Sequence, residues 1–268
     1  NRNNYLKSVE WLVQNIDQPE LVLLDASDVP EQGIPGARFF DLKNQFRNLE
    51  APFPNTIPSP EHFEQACQEI GINNTSTIVV YDRKGIYTSP RVWWLFKTMG
   101  LTSVYVLDGG LPAWKATKKK TRSVQTEGFE KGNFAAKFNP AAVKYYEDIL
   151  TNSEQCAFLV VDARSAGRFE GTAPEPRKTL QSGKIPNALN VPYTNVLENG
   201  HFKSDAELKA IFQSILEDKR PITFSCGSGI TACIILLAYT IISDDMAAVY
   251  DGSWTEWATK QGLTKDMD

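Results

Sequence analysis

The chain reads as a duplicated α/β protein: two tandem domains, each a mainly parallel sheet flanked by helices. Short apolar runs rich in strand formers, at residues 21–24, 77–81 and 104–107, alternate with segments of helical spacing at residues 59–71 and 89–96. That alternation marks βα units and a parallel sheet. The same landmarks return after roughly 137 to 151 residues, far beyond any solenoid repeat. A length of 268 residues suffices for two separate cores.

In chain order, Tyr5, Leu6, Val9, Leu12, Val13 and Ile16 recur at helical spacing and predict an opening helix. Residues 21–24 form a strand ending at Asp25, and the loop after it closes with Gly33-Ile34-Pro35-Gly36-Ala37. Ser59-Pro60 places an N-cap residue before a proline at the first helical position, and Gly71 ends that helix. After the strand at 77–81, Ser89-Pro90 opens a helix carrying Val92, Trp93, Leu95 and Phe96. The strand at 104–107 precedes Asp108-Gly109-Gly110 and Trp114. Residues 115–139 show neither period and read as a connection, which gives domains at 1–118 and 143–268 with a linker at 119–142. The cluster Lys118-Lys119-Lys120-Thr121-Arg122 is short and reads as a solvated surface.

The second half repeats the series. Residues 157–161 are a strand ending at Asp162, Gly183-Lys184-Ile185-Pro186-Asn187-Ala188 echoes the earlier turn, and Ser204 with Glu207 makes a capping box. Residues 221–224 read as a buried strand. Residues 230–242 are apolar for too long to be one strand and stop at Ser243-Asp244-Asp245, so they predict a helix. Residues 247–250, Asp251-Gly252 and Trp257 match 104–107, Asp108-Gly109 and Trp114.

Between the strand at 221–224 and the helix stands Ser225-Cys226-Gly227-Ser228-Gly229-Ile230-Thr231. A cysteine there lies where ligands bind in open α/β sheets. Unpaired amides of the loop and first helical turn can converge on one centre and stabilise an anion on or beside the sulfur. Gly227 and Gly229 would have little purpose around an inert sulfur. The first half carries Tyr81-Asp82-Arg83 at the equivalent place, so one half offers a nucleophile and the other supports it.

Composition narrows the partners. With 42% hydrophobic and 22% charged residues the chain is of ordinary soluble type, and its net charge of -4 gives no reason to expect nucleic acid or an anionic membrane. The longest apolar run, 13 residues, is too short to span a bilayer. Four scattered cysteines suggest neither a disulfide framework nor a metal site, no cofactor is called for, and a reducing, cytoplasmic setting is expected. Cys233, two helical turns after Cys226, reads as core, and Cys67 and Cys156 receive no role. His62 and His201 read as structural or exposed.

With these residues in view, the sequence resembles the rhodanese-like sulfurtransferases, and among them the two-domain 3-mercaptopyruvate type. The resemblance covers essentially the whole chain. It is carried by both Ile-Pro-x-Ala turns, Ser89-Pro90-Arg91-Val92-Trp93-Trp94, the stretch ending Phe138-Asn139-Pro140 and, above all, Cys226-Gly227-Ser228-Gly229-Ile230-Thr231-Ala232. It implies two tandem rhodanese-like domains that move sulfur from 3-mercaptopyruvate, through a persulfide on Cys226, to cyanide or a thiol, a thioredoxin-like protein included. Ser228 is then a donor to the sulfur or to the substrate carbonyl, and Gly227, Gly229, Ile230 and Thr231 complete the binding loop. The segment from Asp162 to Gly171 and Glu175-Pro176-Arg177 match the family's substrate-holding region, which implies Arg168 and Arg177 as the gripping arginines.

Thiosulfate is the alternative donor. Family members that use it carry basic residues at the two positions after the cysteine, whereas Gly227 and Ser228 offer a dianion no charge. One departure concerns proton handling. The family's histidine before Ile-Pro-Gly-Ala, with an acidic residue in a longer loop, has been considered a partner of the loop serine. Gly33 takes that position here, so a His-Asp-Ser relay is not carried over. A cysteine-dependent phosphatase would need arginine at Ala232 to neutralise its transition state, and a non-catalytic binding module would be expected to lose the cysteine.

Overall fold

Residues 1–267 are described by the computed structural model, and the chain divides into two units. Unit 1 is Asn1–Glu50, Ile57–Pro140 and Leu197–Phe202; unit 2 is Ala51–Thr56, Ala141–Val196 and the chain from Lys203. Each half of the sequence therefore gives one short segment to the other unit, at equivalent places in the two halves.

In unit 1 the order is β1 (Leu6–Lys7), α1 (Val9–Asn15), β2 (Leu21–Asp25), β3 (Gln32–Gly33), β4 (Arg38–Phe39), α2 (Pro60–Glu69), β5 (Thr77–Tyr81), α3 (Ser89–Thr98), β6 (Val104–Leu107), α4 (Gly110–Ala116) and β7 (Arg122–Ser123). Five strands form one parallel sheet in the order β1-β6-β5-β2-β4. β2 and β5 are buried at every position but the first, which is why they are unbroken apolar runs ending in a polar residue.

The chain continues with β8 (Val143–Lys144), α5 (Tyr146–Gln155), β9 (Leu159–Asp162), α6 (Ala166–Glu170) and β10 (Leu189–Asn190). The hairpin β11 (Leu197–Glu198) and β12 (His201–Phe202), part of unit 1, comes next. Then follow α7 (Asp205–Ile211), α8 (Gln213–Glu217), β13 (Ile222–Ser225), α9 (Thr231–Ile242), β14 (Ala247–Tyr250) and α10 (Ser253–Lys260). The sheet of unit 2, β10-β9-β13-β14-β8, is parallel and repeats the order of unit 1. Trp114 and Trp257, matched in sequence, each lie in the core of their own unit. The α/β class, a mainly parallel sheet flanked by helices in each unit, is the one the sequence predicts.

Two stretches differ from expectation. The opening helix starts at Val9 because Ser8 Oγ accepts the Trp11 N–H and caps it, while Leu6–Lys7 pairs with Val106 and Leu107 on the sheet edge. Residues 117–140 are anchored along unit 1. The amides of Gln125, Gly132, Phe134 and Asn139 donate to the carbonyls of Ala37, Gln68, Ile72 and Thr98. Phe134 is buried against Phe63 and Phe96. Anchors at irregular intervals leave no periodic signature.

Candidate active site

β13 is the central strand of its sheet, so Cys226 stands at the C-terminal edge, where the chain turns into α9. The cysteine is 1% exposed. Its Sγ accepts the Gly229 N–H at 3.0 Å, and Gly229 has φ +91°. The carbonyls of the loop are drawn the other way by α10. Trp254 N–H donates to the Cys226 carbonyl at 2.9 Å, and Thr255 donates to the Gly227 carbonyl through N–H at 3.0 Å and Oγ1 at 2.6 Å. Held in this polarity, the loop presents a backbone donor to the sulfur, the arrangement that favours negative charge there. Ser253, at φ +54°, accepts the Cys226 N–H at 3.1 Å, donates to the Tyr250 carbonyl at 2.9 Å and lies 3.9 Å from Sγ. Sequence reasoning did not find Ser253, Trp254 or Thr255. The available signal was Asp251-Gly252, repeated as Asp108-Gly109, which marks a shared turn but not what the turn supports.

Arg168 sits on α6 and reaches this loop. A Cβ at Gly227 would lie 2.7 Å from its Nη2. Its Nε and Nη2 hold Glu175 Oε2 at 2.8 and 2.6 Å. Glu175 in turn binds Nη1 of Arg164, a wholly buried arginine whose Nε and Nη2 hold Asp162 at 2.8 to 3.1 Å and whose guanidinium lies over Trp254. Burial works to lower the Arg164 pKa, but Asp162 and Glu175 outweigh it and keep the guanidinium above its usual value. Arg168 is thus a cation placed by a buried charge relay. Arg177 is exposed, and its side chain makes no hydrogen bond or ion pair among the described residues.

Ser228 is half-buried, and its Oγ accepts from Nδ2 of Asn55 at 3.0 Å. Asn55 was not singled out by sequence. Ile230 is the N-cap of α9 and Thr231 its first residue, both half-buried. Position 33 has no room for a histidine: a Cβ on Gly33 would collide with Tyr81, Val124 and Asp25 inside unit 1. His62 and His201 face the backbone carbonyls of Gln45 and Asn199. Cys233 is buried and donates its thiol to the Gly229 carbonyl at 3.4 Å. Cys67 is buried in apolar surroundings that push its thiol pKa well up. Cys156 ends α5 in the left-handed region.

The equivalent loop of unit 1 holds Asp82, 2% exposed. Its Oδ1 accepts the Lys84 N–H, and its Oδ2 accepts those of Tyr87 and Ser89, all at 2.9 Å. This loop binds its own carboxylate. A cavity of about 190 Å³ beside it is lined by Ser27, Val29, Arg83 and Tyr87 among others.

The profile of the rhodanese-like domain matches residues 8–117 and again residues 145–260. The chain belongs to the rhodanese-like family. This rhodanese-like chain is 37% identical over 269 residues to the 3-mercaptopyruvate sulfurtransferase of Escherichia coli (strain K12), covering 95% of each. It is 38% identical over 272 residues to the thiosulfate sulfurtransferase of Rattus norvegicus, covering 94% of this chain and 91% of that one. The crystal structure of the 3-mercaptopyruvate sulfotransferase SseA from Escherichia coli superposes with a TM-score of 0.83 at 35% identity, over 93% of this chain and 98% of that one. Among the described residues no helix is long and apolar enough to cross a membrane, and no group of His, Cys, Asp and Glu is arranged to hold a metal ion.

Proposed function

We propose that this chain is a sulfurtransferase that takes sulfur from 3-mercaptopyruvate onto Cys226 and passes it to a thiol or to cyanide. The observation that carries the reading is the Cys226 loop, with its amide on the sulfur, Arg168 against Gly227, and no charged side chain on either residue after the cysteine. In the first step the Cys226 thiolate attacks the donor sulfur. An S–S bond forms, the C–S bond breaks with its electron pair on carbon, and the pyruvate enolate leaves and takes a proton. The loop amides and the Ser228 hydroxyl stabilise the anions on either side of that step, and Arg168 and Arg177 hold the donor carboxylate. In the second step an acceptor thiolate attacks the outer sulfur and releases the Cys226 thiolate. A thioredoxin-like protein in a reducing, cytoplasmic setting supplies such a thiol.

The loop chemistry also sets donor choice. Arg168 is neutralised by Glu175, so thiosulfate would bring a second negative charge with no dedicated partner. The test compares kcat/KM for 3-mercaptopyruvate, thiosulfate and an aryl phosphate, together with the mass of the protein after donor treatment. We expect a preference for 3-mercaptopyruvate, one added sulfur on wild type, and neither turnover nor added sulfur in a folded Cys226→Ser variant. Turnover retained by that variant overturns the assignment, and a preference for thiosulfate overturns the donor.

A further inference from the structure

We infer that Asn55 is a positioning residue that sets the direction of the Ser228 hydroxyl during sulfur transfer, with a neutral amide where a proton relay would need an ionisable group. The inference rests on the function proposed above and adds a residue and a mode of action to it. Asn55 belongs to the segment Ala51–Thr56 of unit 2 and lies at φ +57°, a region that asparagine tolerates better than most residues. Its turn is braced by Thr56 Oγ1, which donates to the Phe53 carbonyl at 2.9 Å. Nδ2 of Asn55 lies 3.0 Å from Ser228 Oγ and 3.4 Å from the Ser228 carbonyl. A carbonyl oxygen can only accept, so the atom facing both is the amide nitrogen.

That polarity has a chemical consequence. A hydroxyl has one proton and two lone pairs, and Asn55 occupies a lone pair while offering nothing to receive the proton. Ser228 therefore keeps its O–H for another acceptor, and within the loop the groups that gain negative charge are the sulfur and the departing enolate oxygen. A carboxylate at position 55 would do the reverse and draw the proton away. Charged and titratable groups that the structure places at the loop include Cys226 itself, Arg168 on α6 and its partner Glu175. An asparagine adds none, so it orients the serine equally at every working pH.

The test uses the full-length chain with Asn55→Gly, Asn55→Asp and Asn55→His, each also in a Ser228→Ala background, with Cys226→Ser as reference. Glycine keeps the backbone conformation and removes only the amide. Asn55→Gly is expected to lower kcat for 3-mercaptopyruvate about tenfold, with KM changed less than about threefold and no loss of thermal stability. Asn55→Asp is expected to lower kcat further. With Ser228→Ala already present, Asn55→Gly should change kcat less than about twofold, because the group it acts through is gone. Asn55→His should bring a new inflection to the pH profile of kcat near the imidazole pKa of about 6.5. Wild-type kcat in Asn55→Gly, or an equal loss with and without Ser228, overturns this inference while an inactive Cys226→Ser leaves the proposed function standing. An active Cys226→Ser removes both.

Discussion

Gly227 and Gly229 stand two residues apart and are glycine for different reasons. Gly229 needs its positive φ to aim an amide at Cys226, so Gly229→Ala is expected to cost about 1–2 kcal/mol in backbone strain and to lower kcat with it. Gly227 lies outside the left-handed region, and its constraint is the Arg168 guanidinium. Gly227→Ala meets only the far end of a flexible side chain. It should cost less than about 1 kcal/mol in stability, yet displace Arg168 and lower kcat/KM for 3-mercaptopyruvate by about tenfold. Urea unfolding combined with steady-state kinetics separates the two variants. Arg164 makes the opposite case, a residue outside the loop on which much depends. Replacing it by Met strands Asp162 as a buried carboxylate and leaves Glu175 with Arg168 as its remaining cation, for an expected loss of about 3–5 kcal/mol seen by thermal unfolding.

At the scale of elements, the site is a strand end and a helix start held by the N-terminus of a second helix. Thr255 tests that support, since Thr255→Val keeps shape and backbone N–H but loses the hydroxyl bond to the Gly227 carbonyl. A loss of about 0.5–1.5 kcal/mol and a modest fall in kcat are expected by the same two measurements. This scale also shows what a sequence can disclose. β5, β6 and the α9 helix were legible because a doubly buried strand must be an unbroken apolar run, and a longer run ended by Ser243 must be a helix. Cys226 was legible by its place between them. Asn55 was not, since it is one of several polar residues in a proline-rich loop and meets Ser228 across 173 residues of chain. The α10 contacts were hidden for a similar reason: Trp254 and Thr255 reach the loop through backbone N–H groups that every residue type but proline possesses, and the one side-chain bond added to them comes from a common threonine hydroxyl. Gly227 carried a signal, but its cause is a neighbour's guanidinium and not a turn.

For the whole molecule, the duplication gives two loops of one design, of which the second carries a cysteine and the first an aspartate. Asp82 is expected to matter to folding and not to turnover. Asp82→Asn should weaken a carboxylate that accepts three backbone amides, at a cost of about 1–3 kcal/mol by thermal unfolding, while kcat/KM stays within about twofold of wild type. The carboxylate also decides what the unit 1 loop can hold. A vacant set of converging amides would be a second anion site that binds donor without turning it over. With Asp82 covalently in place that site is filled from within the chain, and calorimetry with an anionic donor is expected to find one bound molecule per chain and not two.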